Sequence, residues 1–252
     1  MTSADVRARS FGAIAGSYDR LRPSPPADAV DWLLPRRCDV VVDLAAGTGI
    51  LTRSLLGRTG EIIAVEPDER MRAILVGRTP GVRVLDGTGE HIPLPSETAD
   101  AVLVSSAWHW MDPARAVREI ARVLRPGGRF GLIWTSPRRD VPWLRDLRRS
   151  EPDREPDGGS PHRHREPADL FGLFDPGEQA SFGYTRSMRA DDVVALQGTY
   201  SRTITLDTAD RTARLKAART ILSGYFPDQD VIDVPIVSRC WRSNKSRPGR
   251  KR

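Results

Sequence analysis

Short apolar runs alternate with helical patterns over the first half of this chain. Residues 40–44, 61–65, 82–85, 101–104 and 129–134 each read as a buried strand. Between them, 49–56, 69–77 and 113–124 carry helical spacing. Asp68 stands where it caps the second helix, and Pro113 opens the third at its first position. Arg125-Pro126-Gly127-Gly128 stops that helix, with glycine as a left-handed cap. This alternation predicts a parallel, doubly wound α/β sheet. Ahead of it, Phe11, Ile14 and Tyr18 fall at helical spacing; Pro23, Pro25 and Pro26 break that helix, and 27–34 form another. Beyond residue 135 the pattern predicts helices at 168–174, 190–197 and 209–225, and strands at 180–188 and 231–241. Residues 150–167 are polar, proline-rich and charged, and read as a flexible insertion.

The join between the first strand and its helix carries the chemistry. Asp43 lies at the strand end, followed by Leu44-Ala45-Ala46-Gly47-Thr48-Gly49. A strand, a glycine turn and a helix N-terminus begin a nucleotide-binding βαβ unit, and a glycine lets a ligand approach the backbone. The second strand ends in Glu66, about twenty residues past the turn, where an acid bonds ribose hydroxyls. Thr52 stands where the dinucleotide fingerprint has its third glycine, which packs helix on strand near a pyrophosphate. A ligand with a ribose and no phosphates dispenses with that glycine, which points to S-adenosylmethionine rather than NAD. Asp86-Gly87-Thr88-Gly89-Glu90 follows the third strand and Ser105-Ser106-Ala107-Trp108-His109-Trp110 the fourth. Both turns lie at the sheet's carboxyl edge, where open α/β sheets bind ligands. Tyr18 and Arg22, on a helix ahead of the first strand, are candidates to meet a carboxylate.

Composition narrows the class. A chain of 252 residues holds one α/β domain with a small lid. It has no apolar run long enough to span a membrane and no secretory h-region at its start. Cys38 and Cys240 are isolated, which disfavours a disulfide framework or a zinc site and fits a reducing cytoplasm. His162 and His164 lie in the polar insertion and read as solvated; no metal is expected. The net charge of +6 resembles a nucleic-acid footprint, but residues 242–252 carry six Lys or Arg and no acid. The basic character is therefore that of a disordered tail.

The residues Phe11 with Tyr18-Asp19-Arg20, VVDLAAGTG, AVEPDERM, GTGEHIPLP, SSAWHWMD and EIARVLRPGGRFGLIW together resemble the class I S-adenosylmethionine-dependent methyltransferases. Within these the chain is similar to the trans-aconitate methyltransferase-like, type 11 group, over residues 10–147 above all. The resemblance implies a Rossmann-like, seven-stranded, mostly parallel sheet with helices on both faces, an antiparallel last strand and a small C-terminal cap. It implies one domain over 1–241, with a core at 36–136, a helical lid at 8–34, the insertion at 150–167 and a cap with the last strands at 168–241. It also assigns cofactor roles. Asp43 and the backbone of Ala45, Gly47 and Gly49 would meet the methionine part, and Glu66 the ribose. Pro67 and Met71 would pack on adenine, Thr88, Gly89 and Glu90 would flank its edge, and Ser105 would line the floor near the sulfonium. Tyr18 and Arg22 would close over the cofactor carboxylate. Two departures from the common pattern stand out: Ala45 replaces a glycine, which an alanine tolerates only at negative φ, and Thr88 replaces an aspartate.

Methyl transfer asks the protein to hold nucleophile and methyl carbon in line in a dry site. A base is needed only where the acceptor loses a proton, and His109 is the candidate. Trp108, Trp110 and Trp134 either wall an acceptor or belong to the core. The turn after the fourth strand lacks the Asp/Asn-Pro-Pro-aromatic pattern of enzymes that methylate exocyclic base amines, and no cysteine is placed to attack a pyrimidine. A small organic acid, alcohol, amine or phenol remains as acceptor. The alternatives are an NAD-type oxidoreductase, and a non-catalytic binding protein that uses its basic tail.

Overall fold

The computed structural model describes residues 15–149, 172–204 and 206–247. The predicted insertion at 150–167 and residues Phe11 and Ile14 of the first helix lie outside them. Strands β1 (Val40–Leu44), β2 (Glu61–Val65), β3 (Arg83–Leu85), β4 (Ala99–Ser105), β5 (Leu124–Pro137), β6 (Glu178–Arg189) and β7 (Val231–Asn244) form one sheet in the order β3-β2-β1-β4-β5-β7-β6. The pairings β1·β2, β1·β4, β2·β3 and β4·β5 are parallel, as the alternating pattern predicts. Strand β7 runs the other way. Gly127 N–H donates to Lys245 O at 3.0 Å, while just past the end of β5 Arg138 N–H donates to Pro235 O at 2.9 Å, so the register falls on one strand as it rises on the other.

The helices are α1 (Ala15–Leu21), α2 (Ala27–Leu33), α3 (Ile50–Leu55), α4 (Glu69–Arg78), α5 (Pro113–Val123), α6 (Pro142–Arg149), α7 (Ala190–Gln197), α8 (Ser201–Ile204) and α9 (Thr208–Tyr225). Their starts follow the sequence. The Asp68 side chain accepts from the N–H groups of Arg70 and Met71, Asp112 from those of Ala114 and Arg115 ahead of Pro113, and Asp207 from that of Asp210. Helices α6 and α8 have no counterpart in the sequence reading, and the helix expected at 168–174 is absent from its described part, Gly172–Phe174, which is a turn ending in a bridge to Lys245.

The chain divides into two compact units. One is built on Ser24–Thr135 with the adjoining ends of β6 and β7; the other contains α1, α6 and Gly183–Val237. Helix α1 belongs to the second unit and α2 to the first. Ala29, Val30 and Leu33 of α2 are fully buried with Val41, Leu51, Leu55 and Leu103, which makes α2 a wall of the core. The second unit has its own apolar centre, including Leu21, Trp143, Leu147, Leu196, Leu222 and Val234.

The basic tail also needs correction. Strand β7 continues to Asn244, because its last residues find partners. Lys245 N–H donates to Gly128 O at 2.7 Å, and Lys245 Nζ to Leu124 O at 2.7 Å. The Arg242 guanidinium pairs with Glu178 at 2.6 Å and lies 4.0 Å from the Trp32 ring centroid. Residues 248–252 lie outside the described residues. The same rungs explain why β5 starts at Leu124 rather than at Arg129. The Arg-Pro-Gly-Gly segment pairs with β7 as well as ending α5, and Gly127 keeps its left-handed φ of 81°.

Phe130 is the hub of the core under the sheet. It is fully buried, with ring centroids of Trp108, Phe174 and Trp241 at 5.4, 5.7 and 5.3 Å. Replacing Phe130 by Ala empties that hub and is expected to cost about 3–5 kcal/mol, read from the urea midpoint at unchanged m.

Candidate active site

The parallel register brings four strand ends to one edge. Leu44 lies beside Val65 and Val104, Val65 beside Leu85, and Ser105 beside Ile133. The segments that leave this edge are Ala45–Gly49, Glu66–Asp68, Asp86–Glu90 and Ser105–Trp110. All carry residues singled out from the sequence.

The glycine turn is tied to β2. Ala46 N–H donates to Val65 O at 3.1 Å, and Gly47 N–H donates to Glu66 Oε2 at 2.9 Å. The other carboxylate oxygen, Oε1, accepts from Asp68 N–H at 2.9 Å. Glu66 is only 7% exposed, far from the solvated acid of an ordinary turn. Burial raises its pKa above the usual carboxylate range, against the pull of the Asp68 and Gly47 N–H donors. Arg72 donates to Glu66 O at 2.7 Å and pairs with Asp86, holding the ends of β2 and β3 together.

Ala45 overturns the expectation of a negative φ: its φ is +56°. A left-handed alanine costs about 1–2 kcal/mol, because Cβ crowds the following carbonyl. The Ala46–Val65 and Gly47–Glu66 bonds on one side, and Gly49 N–H to Ala46 O at 2.9 Å on the other, hold it there. Ser106, the residue after β4, has the same φ of +56° and donates its N–H to Ile133 O at 2.8 Å. Gly47 has a φ of +58°, and a Cβ built on it would meet nothing within 4 Å. Gly49, at +82°, would place a Cβ 3.0 Å from the Leu75 side chain, so its glycine serves the close packing of α3 on α4.

Asp43 is fully buried. Its Oδ2 accepts from Thr52 Oγ1 at 2.5 Å, and its Oδ1 has no hydrogen-bond partner. Burial pushes this carboxyl up to about 7; the Thr52 hydroxyl pulls it back, and the nearby Glu66 charge adds to the rise. Thr52 was singled out only as a missing glycine, and its role as the partner of Asp43 had no signal in the turn pattern. The Thr48 hydroxyl in the same turn is also buried without a partner. Orphaned acceptors beside a turn with open space over Gly47 fit a polar ligand that donates hydrogen bonds.

The other candidates are placed as follows. Pro67 is exposed and Met71 is 5% exposed on the first turn of α4. Thr88 and His91 exchange backbone hydrogen bonds of 3.1 and 3.2 Å. Gly89 is buried, and a Cβ there would fall 2.4 Å from Met111 Sδ. Glu90 accepts from Asp112 N–H at 2.7 Å, so its carboxylate has a structural use. Ser105 is half-buried. Trp108 and Trp134 belong to the core, Trp108 against Phe130, whereas Trp110 and His109 are half-buried with rings 4.6 Å apart on a 3-10 turn. Tyr18 and Arg22 lie in the other unit. There the Arg22 guanidinium sits 4.9 Å from the Tyr18 ring and 4.3 Å from that of Tyr200, and donates to Thr199 O at 2.9 Å. Tyr200 carried no sequence signal.

A doubly wound sheet of this order, with a glycine turn after β1 and a buried acid after β2, defines a nucleoside-cofactor-binding α/β protein. Comparison with known proteins narrows the class. The family described as Methyltransferase domain matches residues 42–132. An uncharacterised methyltransferase of Mycobacterium tuberculosis is 39% identical over 236 residues, covering 93% of this chain and 95% of the relative. Another, of Schizosaccharomyces pombe, is 30% identical over 247 residues, covering 94% and 97%. A solved structure from Anaeromyxobacter dehalogenans, proposed to be a type II methyltransferase, superposes with a TM-score of 0.65 at 22% identity, over 90% of this chain and 99% of that one. The chain belongs to the class I S-adenosylmethionine-dependent methyltransferases.

Two outcomes follow. Ala45→Gly removes the misplaced Cβ and is expected to stabilise the protein by about 1 kcal/mol, with Ala45→Val moving it the other way, both read by thermal melting. The raised Asp43 pKa means the folded state holds a proton that the unfolded chain has lost. Stability from this group is therefore full below about pH 4 and falls as pH rises to about 7, by an order of 4 kcal/mol at most. Asp43→Asn should flatten the decline between pH 5 and 8 in denaturant titrations; an unchanged slope would refute the shift.

Proposed function

We propose that this methyltransferase moves the methyl group of S-adenosylmethionine to a small organic acceptor by in-line displacement, with the cofactor at the carboxyl edge of β1 to β4. The observation that carries this reading is Glu66, whose two oxygens hold Gly47 N–H and Asp68 N–H at 2.9 Å each. Each oxygen retains a second lone pair, and so the acid is aimed and still able to accept from two vicinal hydroxyls. A bound cofactor supplies a methyl group on a positively charged sulfonium, a good leaving group.

The residues then take the following roles. Asp43 and the backbone at Ala45, Gly47 and Gly49 receive the methionine part. The orphaned Asp43 Oδ1 supports this, since a buried acceptor gains most from a cationic donor. Glu66 receives the ribose, Pro67 and Met71 pack on the adenine, and Thr88, Gly89 and Glu90 flank its edge. Glu90, already bonded to Asp112 N–H, serves there by shaping the loop. Ser105 lines the floor. Arg22 and Tyr18, in the other unit, are candidates for a carboxylate there; the buried Nε of Arg22 has no hydrogen-bond partner, and its flanking rings fix the guanidinium.

For the acceptor, Trp110 and His109 on the turn after β4 are the candidates for contact and for proton removal; the core positions of Trp108 and Trp134 favour support over contact. The cysteines supply no nucleophile: burial pushes both thiols up to about 12. Acceptors that bring their own nucleophilic O, N or activated C therefore fit this chain.

Calorimetric titration tests the reading. Wild type should bind S-adenosylmethionine and S-adenosylhomocysteine at about micromolar Kd and leave NAD unbound. Glu66→Gln should weaken both by about tenfold, and Glu66→Ala by more, since it also frees the Gly47 turn. Folded wild-type protein that ignores both adenosyl ligands would defeat the proposal.

A further inference from the structure

The segment Thr88–Glu90 follows a strand of only three residues and enters a loop containing Pro93 and Pro95, neither of which has an N–H. Such a loop has few backbone bonds of its own. Here the missing order comes from one helix. In the last turn of α5, Arg122 donates through Nη1 to Leu94 O at 2.7 Å and through Nη2 to Ile92 O at 2.9 Å. Glu119, one turn earlier, accepts from Ile92 N–H at 3.0 Å. The two side chains are joined as a fork, Arg122 Nε to Glu119 Oε1 and Nη2 to Oε2, each 2.8 Å. Charge assistance draws Glu119 below and Arg122 above their ordinary pKa values.

The grip continues toward the ligand edge. Ile92 and Leu94 are buried in the core, so their backbone cannot slide freely. Ile92 adjoins His91, which is bonded in both directions to Thr88. At the other end of α5, the N–H of its cap residue Asp112 fixes Glu90. The beginning and the end of one helix thus hold the two sides of Thr88–Glu90. The fork grips main-chain atoms only, so it sets where the loop lies whatever the loop's side chains are.

We infer that Glu119 and Arg122 are positioning residues for nucleobase recognition: they set the Thr88–Glu90 segment at the spacing that selects adenine, without meeting the cofactor themselves. The inference rests on the cofactor reading above, in which that segment flanks the adenine edge. A fork is required because two carbonyls and one N–H must be held at once; lysine in place of Arg122 keeps the charge and loses this geometry.

The experiment separates base selection from general support. Kd values for S-adenosylhomocysteine and S-inosylhomocysteine are measured on wild type, Arg122→Ala, Arg122→Lys and Glu119→Gln, with a melting curve for each. Wild type should prefer the adenosyl ligand. That preference should fall about tenfold in Arg122→Ala, less in Arg122→Lys and least in Glu119→Gln, which keeps an acceptor for Ile92. Should Arg122→Ala fail to fold, Arg122→Lys and the near-isosteric Glu119→Gln give the answer. A lowered melting temperature with an unchanged ratio of the two Kd values would make the fork merely structural and overturn the inference, as would a wild type indifferent to the base. Loss of all adenosyl binding by wild type would instead overturn the cofactor reading itself.

Discussion

The structure at the ligand edge depends on one buried carboxylate. Glu66 ends β2, and through Gly47 N–H it fixes the turn that ends β1. Its second oxygen fixes Asp68, whose own side chain caps α4. One acid therefore orients a glycine turn and a helix start on adjacent strands. The strain of Ala45 is sustainable because this bond and the Ala46–Val65 bond leave the turn no other conformation. Without them the alanine would relax to negative φ and the turn would lose its shape.

The same arrangement places two acids close together in a poorly solvated place. Burial raises both Glu66 and Asp43; the Glu66 charge adds to the rise of Asp43, and the Asp68 charge to that of Glu66. Two buried acids with few donors are poorly satisfied by the protein alone. The unpartnered Asp43 Oδ1 is the local sign of this. The cofactor proposed above would bring positive charge at one end and vicinal hydroxyls at the other. The rest of the binding edge is held from behind, by Arg72 on β2 and β3 and by the α5 fork on the loop that follows β3.

Much of this was legible in the residues. The alternation of apolar runs and amphipathic stretches gave the parallel sheet, because a strand buried on both faces and a helix buried on one leave different local patterns. Asp68 and Pro113 announced their helix starts, since caps act within a few residues. Glu66 and the glycine turn meet in space because they end adjacent parallel strands, which the alternating pattern made legible. The misreadings share a cause. Thr52 as partner of Asp43, Arg122 as the grip on the loop, Tyr200 beside Arg22, and the order of residues 242–247 all rest on partners far away in sequence. A basic, serine- and asparagine-containing stretch reads as a tail until a glycine pair on another strand offers it hydrogen bonds.

The sequence by itself determined the class of fold, the turns that leave the carboxyl edge of the sheet and the acid that ends β2, because local periodicity, capping and turn chemistry act over short separations. Only the tertiary structure decided that Ala45 is left-handed, that Asp43 is sealed from water, that Trp108 serves the core and that the chain packs as two units. Those properties depend on burial and on hydrogen bonds between distant segments, which have no local signature in the chain.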